Sequence, residues 1–153
     1  MDLKKSALVA EILGGIGIIV SILYLGFEIS ENNKNTRTSN HLALQELTGQ
    51  INSLLIENPA LAEMILKGQD DLASLSDIER MQFYAFADRS FNVWETAFLM
   101  NKDGTLPAGT WDLWSDGYCE ALDLPGYHAL WNDGMNRVFR VDFTDVVNAC
   151  FAK

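Results

Sequence analysis

Glu11 is the one charged side chain inside an apolar run, Ala7 to Phe27, that reads ALVAEILGGIGIIVSILYLGF. A carboxylate within lipid is expensive to hold charged, and it marks an ion path, a proton relay or a helix seam when it faces a bundle interior. Glu11 lies close to the start of the run, so the plainer account puts it at headgroup level. Glu28 follows the other end. In an oligomer, rings of Glu11 and Glu28 would favour cations, as charged rings do in channels. Their neighbours on that side are small or polar. At about 100° per residue, Glu11, Gly14, Gly17, Ser21 and Glu28 fall within an arc of about 120°. Asn32 and Asn35 project onto the same arc. Gly17-x-x-x-Ser21 is a small-xxx-small pair, the spacing that lets helix backbones approach closely in a bilayer. Asparagines along a seam fix register in coiled coils. Gly14, Gly17, Ser21, Glu28, Asn32 and Asn35 are therefore the candidate oligomer interface, with Glu11 as the candidate pore or seam acid. The competing account is that glycine is simply common in membrane helices.

Other chemistry is not signalled. There is no GxSxG elbow for a hydrolase nucleophile. Gly14-Gly15-x-Gly17 lies inside the apolar run with no strand before it, which fails the context a dinucleotide loop needs. His41 and His128 are far apart and read as surface or interface histidines. Asn101-Lys102-Asp103-Gly104 echoes part of a calcium loop, but Leu99 and Thr110 stand where such a loop needs its terminal acids. A turn closing a helix is the better reading. Cys119 and Cys150 have no CxxC spacing, so a structural zinc site is not expected; two buried thiols in a helical core are the base reading, and whether they pair depends on the compartment. No catalytic residue, metal or cofactor is assigned.

The elements that position these residues are helical. The apolar run is roughly 21 residues, about 31 Å as a helix at about 1.5 Å per residue, which matches a bilayer core of about 30 Å. A cleaved signal peptide would show small residues after the apolar core, and Phe27-Glu28-Ile29-Ser30-Glu31 does not. ISENNKNTRTSNH is polar all round but has neither Pro nor Gly. It reads as a helical stalk, with a flexible linker as the alternative. Leu44, Leu47, Ile51, Leu54 and Leu55 resume a helical stripe. Asn58-Pro59 caps and starts a short helix that should stop at Gly68. Ser76-Asp77-Ile78-Glu79 is a capping box. It opens a long helix to about Asn101, with Phe83, Ala87, Phe91, Trp94 and Phe98 on one face. Short helices are expected near 108–122, 126–136 and 142–151, and no alternating run requires a sheet. The fold class is all-α: a single N-terminal transmembrane helix continuing into a helical stalk and a small helical bundle. The divisions are 1–29, 30–57 and 58–153.

The net charge of −10 argues against nucleic-acid partners, which need clustered Lys and Arg. The expected partners are the lipid bilayer and a second copy of the chain.

Three stretches resemble a widespread set of small bacterial hypothetical proteins. The first is EILGGIGIIVSILYLGFEISENNKNTR, through Tyr24, Leu25, Gly26, Ile29, Asn32, Lys34 and Arg37. The second is IENPALAEMILKG, through Glu57, Asn58, Pro59, Leu61, Ala62 and Gly68. The third is LPGYHALW, through Pro125, Gly126 and Trp131. The resemblance covers most of the chain and implies one span followed by a helical domain, with no activity to carry over. Relatives tend to have a basic residue just after the isoleucine, where this chain has Ser30 and Glu31. The resemblance implies the bacterial inner membrane with a cytoplasmic soluble domain. Lys4 and Lys5 lie close to the span and favour a cytoplasmic N-terminus, and Lys34 and Arg37 match them further out on the other side. The function expected from all this is a membrane-anchored interaction module that self-associates. The alternatives are an oligomeric cation-conducting pore, or a membrane-anchored enzyme or ligand binder using the aromatic C-terminal half.

Overall fold

The computed structural model describes residues 3–152, with the side chains of residues 8, 9 and 11–152. The side chains of Lys4 and Lys5 lie outside the described residues. Among those described, all regular structure is helical: α1 (Leu3–Glu57), α2 (Pro59–Asp70), α3 (Asp77–Lys102), α4 (Thr110–Leu122), α5 (Pro125–Asn132) and α6 (Val141–Phe151). Short 3₁₀ turns at Leu72–Ser74 and Met135–Val138 complete the chain. The fold is all-α with a long apolar N-terminal helix. The polar stretch after Phe27 is helical, so α1 runs unbroken for 55 residues. The chain divides into two compact units, Met1–Arg37 and Thr38–Lys153.

In the first unit nothing covers the apolar side chains. The large ones from Leu8 to Ile29, including Ile12, Ile19, Leu23 and Phe27, are each more than half exposed. The Ser21 hydroxyl donates to the Gly17 carbonyl at 2.8 Å. That bond satisfies the hydroxyl within the helix itself.

The second unit is built around α3. Its start carries the capping box: the Ser76 hydroxyl accepts from the Glu79 amide, and the Glu79 carboxylate accepts from the Ser76 amide. Its end is the turn read from Asn101 to Gly104. The Asp103, Gly104 and Thr105 amides donate to Leu99, Asn101 and Met100 carbonyls, and Gly104 takes the left-handed conformation at φ 66°. Phe83, Ala87, Phe91 and Trp94 are fully buried. They pack with Met64 and Ile65 of α2, Tyr127 and Trp131 of α5, and Phe143 and Val147 of α6. A smaller core joins Leu44 and Ile51 of α1 to Val93 and Ala97 of α3 and to Leu106. Burying an aromatic or branched side chain is worth about 1.5 to 3 kcal/mol, so α3 supplies the largest single share of the core.

Two expectations need correction. Gly68 does not end α2, which continues to Asp70 with Asp71 as its C-cap. Gly68 is buried where a Cβ would meet Leu75 and Phe83 at 2.9 Å, and at Gly126 a Cβ would stand 1.8 Å from the Gly68 carbonyl oxygen. Here α2 and α5 touch backbone to backbone, so packing rather than capping sets Gly68. Second, Cys119 and Cys150 are not free thiols. They form a disulfide that ties α4 to α6 across 31 residues of sequence.

Candidate functional site

The residues singled out on α1 share one helix and stay open. Glu11, Gly14, Gly17, Ser21, Glu28, Asn32 and Asn35 are all exposed. A Cβ added at Gly14 or Gly17 would meet nothing within 4 Å. An 18-residue window of this helix has a mean hydropathy of 2.1 with none of it buried, which is long and apolar enough to cross a membrane.

Sequence reading missed a second feature, a cleft of about 510 Å³ wholly within the second unit. It opens between the C-terminal part of α1 (Thr48, Ile51, Asn52, Leu55) and α4 (Leu113, Trp114, Gly117, Tyr118, Ala121, Leu122). Gln69 of α2, Phe86 of α3 and Tyr127 of α5 complete it. Trp114 and Tyr118 are four residues apart, so they share a face of α4. Their rings stack at 5.8 Å, and Tyr118 stacks in turn on buried Trp94 at 6.0 Å. Gly117 lies between them, and a Cβ there would meet nothing within 4 Å, so part of the cleft exists because that residue has no side chain.

The cleft's polar groups are few and held in place. The Tyr118 and Thr48 hydroxyls bond to each other at 3.2 Å. The Gln69 amide nitrogen donates to the Tyr127 hydroxyl at 3.0 Å. Burial pushes both tyrosine pKa values up, so both remain neutral donors across the physiological range. None of the lining residues is Asp, Glu, Lys, Arg or His.

The perturbed acids lie elsewhere, at the surface. The Ser76 amide and hydroxyl hold the Glu79 carboxyl low. Asp142 is held at about 2 by hydrogen bonds from Lys102 and Arg140. His128 bonds to Asp123 at 2.6 Å and stacks on Phe151 at 3.9 Å. These are ion pairs and caps that fasten helix ends. Among the described residues, no three His, Cys, Asp or Glu side chains gather to hold a metal ion.

Trp114 and Tyr118 were visible in the sequence as part of an aromatic end that could be core or site. Thr48, Asn52 and Gln69 carried no signal, because they converge only through packing. No protein-family model, curated protein or solved structure matches this chain.

Proposed function

We propose that this chain is a single-span membrane protein whose α1 anchors a small helical domain and brings it together with partners at the bilayer. One observation carries the reading: the apolar part of α1 is uncovered on every side. Leaving its large side chains in water would forgo on the order of 20 kcal/mol of burial. One packed partner helix covers a strip of such a cylinder, whereas lipid covers all of it. A helix also satisfies its own backbone, as a span must. The small-residue arc through Gly14, Gly17 and Ser21 is the side on which a second copy would pack.

The Cys119–Cys150 bond supports a side for the domain. Disulfides persist in oxidising compartments and are rare in the cytosol. Lys4 and Lys5, close to the start of the apolar run, favour the cytoplasmic face for that end of the helix. Together they favour the second unit outside the cytoplasm, opposite to the side the resemblance implies.

The test is fractionation of the full chain expressed in bacteria. It should stay in the pellet through an alkaline carbonate wash and leave it only with detergent; recovery in the detergent-free supernatant would end the anchoring reading. In intact spheroplasts, added protease should digest the domain. Alkylation should find Cys119 and Cys150 blocked until a reductant is added. A protected domain with free thiols would reverse the orientation and leave the anchor standing.

A further inference from the structure

We propose that the cleft between α1 and α4 binds an uncharged, flat conjugated ring compound carrying carbonyl oxygens, the chemistry of a quinone. The inference does not depend on the anchoring reading. The volume, about 510 Å³, falls in the range of about 300 to 1,000 Å³ typical of small-molecule sites. No charged side chain lines the cleft, so a carboxylate, phosphate or ammonium would enter without a counter-ion and lose its hydration. Trp94, Tyr118 and Trp114 form a column of nearly parallel rings, with interplanar angles of 16° and 21°. Trp94 is fully buried and Trp114 is only half-buried, so the column ends in an aromatic ring at the cleft against which a flat ring can stack.

Hydrogen-bond accounting supplies the oxygens. The Tyr127 hydroxyl accepts from Gln69, and its own hydrogen has no acceptor among the described residues, although the residue is only 1% exposed. In the Thr48–Tyr118 pair one hydroxyl donates to the other, which leaves a second hydrogen uncommitted. Two hydroxyl donors therefore remain in an apolar cleft. A ligand with acceptor oxygens and no donors of its own completes them.

The experiment is calorimetric titration of the full-length protein without reductant, in lipid nanodiscs with empty nanodiscs subtracted or, if the chain stays in the detergent-free supernatant, in plain buffer. The probes are menadione, its oxygen-free counterpart methylnaphthalene, and decanoate as an acyl anion. Menadione should bind saturably at one site per chain, at least about tenfold tighter than either of the others. Gly117→Leu should abolish binding by filling the cleft while keeping α4 intact, since leucine is the better helix former. Tyr127→Phe should weaken menadione about tenfold, the upper range for one neutral hydrogen bond, and leave methylnaphthalene unchanged. Trp114→Leu keeps apolar contact but removes the ring, and should weaken both aromatic probes. No saturable menadione heat overturns the proposal. So does equal affinity for methylnaphthalene or decanoate. Undiminished menadione binding by folded Gly117→Leu, or by Trp114→Leu should the first variant misfold, does the same.

Discussion

Of the glycines in the second unit, Gly126 has the least room for a side chain, because the obstacle there is the Gly68 carbonyl oxygen, 1.8 Å from where a Cβ would stand. Adding that one carbon forces α5 away from α2 and loosens Tyr127 and Trp131 together. Gly126→Ala is expected to cost about 3 kcal/mol, the upper part of the overpacking range, seen as a clear drop in melting temperature of the second unit. Asp142 gives a milder, pH-dependent prediction. Its carboxyl is lowered from 3.8 to about 2 by Lys102 and Arg140. The folded state therefore binds that proton less readily than the unfolded chain. The stabilisation is complete above about pH 4 and disappears as the pH falls towards 2. Thermal melts across that window should show Asp142→Asn losing less stability than the parent. Little of this was legible beforehand: Pro125-Gly126 read as a helix start, and nothing in the sequence places Gly68 against it.

At the scale of elements, local signals were reliable where they are local in origin. The Asn58 cap, the Ser76–Glu79 box and the turn at Gly104 each depend on residues within a few positions, so neighbouring sequence suffices to read them. The all-α class followed from the same kind of signal. The end of α2 and the pairing of Cys119 with Cys150 depend on contacts between distant segments, and periodicity does not register those. The disulfide closes a loop whose ends are 31 residues apart, for which chain-entropy reasoning gives about 3 to 4 kcal/mol. Cys119→Ser with Cys150→Ser should lower the unfolding free energy from denaturant titration by about that amount while leaving the helix content measured by circular dichroism unchanged. Because Cys119 lies on α4 beside Tyr118, the same double variant should also broaden the near-ultraviolet aromatic signal.

At the scale of the whole molecule, the two compact units carry different surfaces. Residues up to Arg37 hold an apolar surface with no cover of their own, whereas the unit from Thr38 onward buries two hydrophobic cores. A chain begun at Thr38 should therefore be monomeric and water-soluble, with the aromatic circular-dichroism signal of the full protein. If that piece is insoluble or has lost its tertiary signal, the first unit is needed for folding and is more than an anchor. The greasy first helix was the plainest feature of the sequence. The aromatic cleft was not legible, because it is made from a threonine, an asparagine and a glutamine that meet only when α1, α2 and α4 pack.

The two crowded glycines differ in a way that genetics can exploit. At Gly68 the colliding atoms belong to the Leu75 and Phe83 side chains, so damage from Gly68→Ala should be repaired by trimming Leu75. At Gly126 the collision is with main chain, which no other codon can shorten. A suppressor screen should recover second-site revertants for the first lesion and only true revertants for the second.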